Sequence, residues 1–166
     1  MSENKKLALI VILTMVIIII IGVGIYFLIE DKPKAQNLSL GEYGEVNEWN
    51  MSITDYDYYN NGNNTYIVNV YITAENISQS AKTFIGDMNI TLLYIEGDKK
   101  YKYNYSFNWD NELFSSTMPL CVESDYIVFT IPSQAIESNS GQLLIQASKN
   151  IKNPKTILVW ELKKQA

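Results

Sequence analysis

The chain of 166 residues contains no histidine, no arginine and a single cysteine. Histidine is the commonest general base and metal ligand, so its absence argues against zinc hydrolysis and against Ser-His or Cys-His nucleophilic catalysis. One thiol cannot form an intramolecular disulfide or a cysteine-cluster metal site. The net charge of −5 argues against a general nucleic-acid binder, because such proteins displace counterions with positive surface. We therefore expect no catalytic residue, no cofactor, no metal and no nucleic-acid partner.

An apolar run of 23 residues, Leu7 to Ile29, contains no charged side chain. A helix of that length, at about 1.5 Å per residue, exceeds the roughly 30 Å hydrocarbon core of a bilayer. Cleaved signal peptides have a shorter apolar region that ends at a small-x-small site, so the run predicts an uncleaved transmembrane signal-anchor over residues 7–29. Residues 1–6 would be cytoplasmic. Residues 30–44 have no sustained apolar period and are predicted to be a tether.

Two patterns favour an orientation in which the rest of the chain lies outside the cytoplasmic membrane. Two lysines precede the apolar run and two follow it, and the N-terminal amine and the acidic pair after the run favour a cytoplasmic N-terminus. An exported chain can be glycosylated at Asn-x-Ser/Thr triplets, and six begin at Asn37, Asn50, Asn63, Asn76, Asn89 and Asn104. An Asn-rich chain also generates such triplets by accident, and both interpretations stay open.

From Glu45 onward, apolar residues recur at every second position, which is the period of a half-buried β-strand. The predicted strands are residues 66–73, 90–95, 100–107, 126–131, 143–147 and 156–162. A first strand runs through Val46, Trp49, Met51 and Ile53, and the broken alternation after Val46 indicates a bulge. Short strands punctuated by turns predict an all-β protein, an antiparallel β-sandwich over residues 45–163.

Shorter elements are predicted between these strands. The Asn- and Gly-rich run 60–64 and the dipeptide Gly97-Asp98 are expected to be turns, because Asn and Gly tolerate positive φ. Residues 134–137 are expected to form one helical turn.

Three stretches carry a resemblance to a known family. They are Gly44-Glu45-Val46, then Tyr66 to Ile72 with Glu75-Asn76-Ile77-Ser78, and later Phe129-Thr130-Ile131-Pro132. In this order, after an apolar segment and a tether, they resemble the exported immunoglobulin-like domains of domain-of-unknown-function family 4352, related in fold to a secreted immunoprotective antigen. The resemblance covers residues 40–163, and Pro119-Leu120 departs from the usual Pro-Gly of the family. It implies a membrane-anchored immunoglobulin-like β-sandwich without catalytic residues.

Two groups of tyrosines are the candidate contact residues. One group alternates with polar residues along a predicted strand and therefore shares one face with Phe107: Tyr101, Tyr103 and Tyr105. If exposed, these rings would form a platform for sugar rings or peptide side chains, because aromatic rings offer flat apolar area at low entropy cost. Otherwise they face the core. The second group lies near the predicted hairpin and would supply loop contacts: Tyr56, Tyr58 and Tyr59.

Three further features have competing interpretations. Asp55-Tyr56-Asp57 and the following Asn-rich run resemble a calcium loop, but no Glu stands where an EF-hand needs one, which favours a solvated hairpin loop. Cys121 is expected to be a small buried hydrophobe, with intermolecular pairing as the alternative. Lysines near the final hairpin are predicted to keep its edge soluble: Lys149, Lys152 and Lys155.

These patterns predict a single-pass protein of the cytoplasmic membrane that displays one β-sandwich outside. The predicted function is non-catalytic recognition or adhesion, with a surface protein or a glycan as the partner. The alternative is a structural or accessory subunit of a cell-envelope assembly, with the helix facing its partner. Gly22-Val23-Gly24 lacks the Gly-x-x-x-Gly spacing of closely paired helices, which favours the first function.

Overall fold

The computed structural model describes residues 3–30, 33–106, 113, 115–138 and 140–163. The last residue of a predicted strand, Phe107, lies outside the described residues, as do residues 1–2 of the predicted cytoplasmic segment and 31–32 of the predicted tether. The chain divides into two compact units, Met1–Pro33 and Lys34–Ala166.

The first unit is built around helix α1, Glu3–Glu30. Its described side chains, those of residues 11–23 and 25, are exposed and almost all apolar. No proline interrupts the helix, and leucine, isoleucine and methionine are compatible with it. Among the described residues, no helix is both long and apolar enough to cross a membrane. The structure therefore has a helix over the predicted residues 7–29 but does not support its membrane-spanning role.

The second unit is a β-structure with two single-turn helices, α2 at Phe84–Asp87 and α3 at Ser133–Glu137. Its described strands are β1 Lys34–Leu38, β2 Gly44–Val46, β3 Trp49–Gly62, β4 Thr65–Asn76, β5 Lys82–Thr83, β6 Met88–Glu96, β7 Lys99–Ser106, β8 Ser116–Thr117, β9 Val122–Pro132, β10 Gln142–Lys149 and β11 Thr156–Leu162. The six long strands predicted after residue 65 and the helical turn at 134–137 are confirmed, with bounds extended by up to four residues.

Nine strands form one ladder in the order β1-β11-β10-β6-β7-β9-β4-β3-β2, and β5 pairs separately with β8. All neighbours in the ladder are antiparallel except β1 and β11. Strand β7 joins the two halves, because residues up to Asn104 pair with β6 whereas Tyr105 and Ser106 pair with β9. The ladder thereby forms two layers, β1-β11-β10-β6 and β9-β4-β3-β2. The predicted antiparallel β-sandwich is confirmed.

One core of buried apolar side chains fills the space between the layers. Alternate residues of every long strand point into it, as the period of a strand requires. Burial of each large side chain contributes about 1.5–3 kcal/mol. The largest buried residues are Trp49, Trp160, Phe84 and Phe129. The ring of Trp49 meets that of Phe84 edge-to-face at 5.2 Å, and its Nε1 donates a hydrogen bond to Asp87 at 3.3 Å.

The break in alternation between Val46 and Trp49 is a hairpin turn, so the predicted bulge is wrong. Val46 pairs directly with Trp49, and the two residues between them have positive φ: Asn47 at 53° and Glu48 at 64°. Two central residues with positive φ match a type I′ turn, whose twist suits an antiparallel hairpin. Asparagine tolerates positive φ but glutamate rarely adopts it, so the sequence did not predict a turn at these two residues.

The predicted tether over residues 30–44 is also corrected. It contains β1, which pairs in parallel with β11 from Lys34 opposite Thr156 to Leu38 opposite Trp160. Only the last residue of β1, Leu38, is buried, so the strand has no alternating pattern to reveal it. Because β1 covers β11, the final hairpin does not expose the free edge that its lysines were predicted to protect.

Cys121 is exposed, which overturns the prediction of a buried thiol. The residue before it, Leu120, has a φ of 60°, in the left-handed region. Backbone bonds fix this stretch, because the amide of Leu120 donates to the carbonyl of Asn76 at 2.7 Å and the amide of Asn76 donates to the carbonyl of Cys121 at 3.1 Å. These bonds hold the loop in place while its side chains point outward.

Candidate functional site

An irregularity in β3 decides which side chains reach the outer surface of the sandwich. The pairing of β3 with β4 shifts register between Ile53 and Asp55. Before the shift, Trp49, Met51 and Ile53 are buried; after it, Tyr56 packs against the core, while Asp57 is exposed. A β-bulge adds one residue to one strand and so reverses its alternation. Asp55 and Asp57 therefore lie on the outer face, next to β4.

Asp57 forms a hydrogen-bonded cluster with two residues of β4. The amide nitrogen of Asn69 donates to Oδ1 of Asp57 at 2.7 Å, and the hydroxyl of Tyr71 donates to Oδ2 at 2.9 Å. The hydrogen bond to Asp57 raises the pKa of the Tyr71 phenol, because the bond favours the neutral form of the phenol. Both carboxylate oxygens are thus oriented, and each keeps capacity to accept another hydrogen bond.

The neighbouring strand β9 completes a shallow groove on this face. Tyr126 of β9 pairs with Tyr71, and their ring centroids are 5.6 Å apart at an interplanar angle of 47°. The hydroxyls of Thr73 and Ser124 are 3.0 Å apart. The groove has a volume of about 310 Å³, and its lining residues are Thr54, Tyr71, Ile72, Thr73, Ser124, Asp125 and Tyr126. We call it the Tyr71 groove.

The Tyr71 groove combines two kinds of surface. The ring of Tyr126, 38% exposed, offers an apolar face that can stack on a ring of a ligand. The hydroxyls of Tyr71, Thr73 and Ser124 line the groove and can exchange hydrogen bonds with a polar ligand. The carboxylate of Asp57 lies beside the groove, where it accepts hydrogen bonds from the hydroxyl of Tyr71 and the side chain of Asn69. Among the described residues, no group of three or more histidine, cysteine, aspartate or glutamate side chains is arranged to hold a metal ion. The arrangement suits binding of a hydroxyl-rich molecule.

The predicted tyrosine ladder on β7 is not a uniform platform. Tyr101 is 42% exposed and stacks on Tyr94 at 5.9 Å. Tyr103 and Tyr105 are half-buried and pack against the core, and Tyr105 meets Phe129 edge-to-face at 6.4 Å. Burial raises the pKa of both half-buried phenols. Of the three rings proposed as a ligand face, that of Tyr101 is exposed and those of Tyr103 and Tyr105 are half-buried.

The second tyrosine group lies in strand β3 rather than in a loop. Tyr56 and Tyr58 pack against the core. The hydroxyl of Tyr56 donates to the carbonyl of Lys163, and the ring of Tyr58 meets that of Tyr66 edge-to-face at 6.0 Å. Tyr59 points outward and is exposed. The solvated loop that was predicted at Asp55 lies further along the chain, where Asn63 and Asn64 adopt positive φ.

The six sequon asparagines differ in exposure. Asn37, Asn63 and Asn104 are exposed, and Asn50 and Asn89 are half-buried. Asn76 is fully buried, and its side chain bonds within the fold, so it has no room for a glycan in the folded state. Glycosylation at the other five stays a prediction.

Sequence reasoning missed Tyr71 and Tyr126 as site residues. The available signal was the position of Tyr71 between Asn69 and Thr73, because an aromatic residue on the polar side of a strand lacks a core to fill. Tyr126 could not be paired with it without the register between β4 and β9, which brings residues 55 positions apart together.

Comparison with known proteins supports the architecture. An uncharacterised β-sandwich protein of Clostridium difficile 630 is 14% identical, with a TM-score of 0.58 over 80% of this chain and 97% of its own. The fold is that of a β-sandwich. A conserved hypothetical protein of Bacillus anthracis is 11% identical over 70% of this chain and 93% of its own, with a TM-score of 0.49. A functionally unknown protein of Listeria monocytogenes EGD-e is 12% identical over 75% and 82%, also with a TM-score of 0.49.

No family model matches the chain. No curated protein matches it either. Membership of family 4352 and an immunoglobulin-like strand order are therefore not shown, and the likeness to the Clostridium difficile β-sandwich concerns the fold alone.

Proposed function

We propose that the protein is a non-catalytic recognition domain that binds a glycan in the Tyr71 groove. The observation that supports this function is the ring pair Tyr71–Tyr126, which lies beside the oriented carboxylate of Asp57. Sugars present apolar ring faces and polar hydroxyl edges, and the groove offers a matching stacking ring and hydrogen-bonding groups. The groove is open to solvent, which suits the binding of a chain or branch rather than the enclosure of a small substrate.

The proposal places the β-sandwich outside the cytoplasmic membrane, attached by residues 7–29. The support is the sequence of that segment, which has 23 residues without a charge. The resemblance to exported family-4352 domains points in the same direction, and so do the exposed sequon residues Asn37, Asn63 and Asn104. Because the described helix gives the attachment no support, it needs its own test. Protease added to intact cells should digest the domain, and alkaline carbonate should leave the chain in the membrane fraction.

A glycan array probed with the purified full-length chain tests the ligand class. Tyr126→Ser removes the stacking ring and is expected to weaken binding of any glycan hit by about two- to twelvefold, since one aromatic contact contributes about 0.5–1.5 kcal/mol. The matched control is Tyr59→Ser, which removes an exposed ring from the same outer face beyond the groove. Tyr101→Ser tests the ladder on β7 in the same assay. Binding that is unchanged in Tyr126→Ser, or an array without hits, contradicts the proposed ligand.

The alternative function is a structural or accessory subunit of an envelope assembly. It predicts that a membrane partner co-purifies with the chain in mild detergent at a fixed ratio, and that substitutions in the Tyr71 groove do not affect this ratio.

A further inference from the structure

One end of the sandwich is assembled from segments that are distant in sequence. The amide of Asn150 donates to the carbonyl of Asp87 in α2 at 2.9 Å, and the side chain of Asn47 donates to the same carbonyl at 3.5 Å. The amide of Ile77 donates to the carbonyl of Glu48 at 3.0 Å.

Two further segments reach the same end of the sandwich. The 118–122 loop is attached there through Asn76, whose carbonyl accepts a hydrogen bond from the amide of Leu120. Strand β1 begins at the same end, because the amide of Lys34 donates to the carbonyl of Lys155 at 2.8 Å. We call it the Lys34 end.

Large apolar side chains are exposed at the Lys34 end. Leu120 is 74% exposed and Met118 62% exposed, and they are joined by Val122, Ile77 and Ile151. Leaving a large aliphatic side chain in water forgoes about 1.5–3 kcal/mol of burial. Leu120 also occupies the left-handed region, which costs a non-glycine residue about 1–2 kcal/mol. The backbone hydrogen bonds that Asn76 forms with Leu120 and Cys121 hold the 118–122 loop in this arrangement. The exposed apolar side chains of the loop therefore project from a fixed backbone.

Lysines are also exposed at the Lys34 end. Lys34, Lys149, Lys152 and Lys155 are exposed, and no carboxylate in the described part of the chain forms a salt bridge with any of them. The hydrogen bond from Lys82 is the main cause that lowers the pKa of the Glu48 carboxyl, and Lys149 is close enough for its charge to help lower it. Lys82 is different, because it pairs with Glu48 and lies 3.9 Å from Asp87. Two further acidic residues lie at this end, because Glu75 pairs with Val122 and Glu123 follows Val122. Lys34, Lys152 and Lys155 thus place exposed positive charge, outside any salt bridge among the described residues, at one end of a chain whose net charge is −5.

The uncharged segment 7–29 continues into this same end of the sandwich. Helix α1 ends at Glu30 and β1 begins at Lys34, so only residues 31–33 separate the two elements. Ile29, the last residue of the apolar segment, and Lys34 are five residue steps apart, which span at most about 18 Å. If residues 7–29 are in a bilayer, the Lys34 end starts within that distance of the apolar segment.

We propose that the Lys34 end docks on the surface of an anionic lipid bilayer, an inference that rests on the membrane attachment proposed above. The side chains of Met118, Leu120 and Val122 enter the interfacial region, and the lysines contact the lipid phosphates. Lysine near an anionic surface and apolar side chains at the headgroup level are both favourable there. Docking holds the domain in one orientation, with the hairpin between β3 and β4 pointing away from the lipid. The Tyr71 groove, on the side of the sandwich, stays accessible.

The single cysteine permits a direct test with the full-length chain. Cys121 lies between Leu120 and Val122 and is exposed, so an environment-sensitive fluorophore can be attached there. The chain is reconstituted in liposomes rich in phosphatidylglycerol, with a doxyl-labelled lipid as the quencher. We expect a blue-shifted emission and quenching by the doxyl lipid. The matched control combines Cys121→Ser with Asp98→Cys, which places the label in the exposed turn between β6 and β7, at the opposite end, and should show neither effect.

Two substitutions separate the apolar contribution from the charged one. Leu120→Ser should remove most of the blue shift. Lys152→Glu should lower the ratio of docked to undocked protein by at least about fivefold, whereas Lys102→Glu on β7, also exposed, should leave it unchanged. Liposomes of phosphatidylcholine alone should reduce docking in the same way as Lys152→Glu.

The possible failures are distinguishable. If the chain does not float with the liposomes, both the membrane attachment and the docking are wrong. If it floats but the label at Cys121 is as solvent-exposed as the label at position 98, the docking alone is wrong. A blue shift that grows with the number of chains per liposome, without quenching by the doxyl lipid, would show that a second copy covers the Lys34 end and would also overturn the proposal. Glycan binding in the Tyr71 groove is independent of all three results.

Discussion

The side-chain nitrogen of Asn76 donates a hydrogen bond to the carbonyl of Thr117 at 2.8 Å, across 41 residues of sequence. The same nitrogen donates to the carbonyl of Ser80 at 2.8 Å, and its Oδ1 accepts from the amide and the hydroxyl of Ser78 at 3.0 and 2.7 Å. Asn76 is completely buried, so all four bonds replace water. The triplet Asn76-Ile77-Ser78 resembles a glycosylation site in the sequence. In the fold, its Asn76 side chain connects the end of β4 to Ser80 and Thr117 through hydrogen bonds.

Asn76→Ala should lower the free energy of unfolding by about 2–4 kcal/mol, because it removes four buried hydrogen bonds, among them the bond that its side-chain nitrogen donates to the carbonyl of Thr117. Urea denaturation followed by tryptophan fluorescence measures the loss. Asn104→Ala, at an exposed sequon on β7, should stay within about 0.5 kcal/mol of the wild type. Equal stability of the two variants would contradict the role of Asn76.

Ser52 and Ser78 are both buried but differ in hydrogen bonding. The hydroxyl of Ser52 has no partner among the described residues, whereas that of Ser78 donates to Asn76 at 2.7 Å and contacts the carbonyl of Ser80 at 2.8 Å. Ser52→Ala should therefore be neutral or stabilise the fold by up to about 1 kcal/mol, and Ser78→Ala should destabilise it by about 1–3 kcal/mol. The midpoint of urea unfolding should fall for Ser78→Ala and should stay the same or rise for Ser52→Ala. A parallel decrease would show that the Ser52 hydroxyl has a partner.

Gly141 leaves space for the ring of Tyr94. A Cβ added at Gly141 would lie 2.0 Å from Cε2 and 2.6 Å from Cζ of that ring, which is itself buried and cannot swing into solvent. Gly141→Ala should cost about 1–3 kcal/mol of stability through overpacking. Gly86→Ala is the control, because the nearest atom to its added Cβ is 3.7 Å away. Thermal unfolding of the two variants checks this difference, and a tolerated Gly141→Ala would contradict the close approach.

The half-buried tyrosines predict a loss of stability in alkali. Burial raises the pKa of Tyr105 above its value in the unfolded chain, so the folded state retains the phenolic proton more tightly. The stabilisation is complete below the unfolded pKa of about 10 and is lost as the pH rises through the folded pKa. Tyr105→Phe should therefore make the decline of the free energy of unfolding above about pH 10 less steep. Tyr59→Phe, which removes an exposed hydroxyl, serves as the comparison. Parallel declines in both variants would refute the assignment to Tyr105.

The strands that pack both sides of the core could be predicted because their sequence carries the burial pattern. Along β4, Val68, Val70 and Ile72 are buried and the residues between them are not, as alternation requires. Strand β1 carries no such pattern, since it pairs at the edge with its backbone and buries only Leu38. The turn at Asn47–Glu48 was missed because a glutamate with positive φ contradicts its intrinsic preference, and the surrounding hairpin overrides it.

The candidate site was less predictable than the fold. The outward position of Asp57 depends on the register shift after Ile53, and its contact with Tyr71 depends on pairing between strands. Neither follows from local periodicity. Conversely, the regular alternation of Tyr101, Tyr103 and Tyr105 was detected correctly, but alternation does not reveal which side of a strand faces the core near the point where β7 changes layers.

The parallel pairing of the first and last strands of the sandwich has a mechanical consequence. Lys34 begins β1 and Leu162 ends β11, at opposite ends of two strands that run in the same direction in register. A load that pulls the domain between its entry and exit points therefore slides these strands along each other and strains all their hydrogen bonds at once, rather than opening them one by one like a zipper. Such a shear geometry resists rupture.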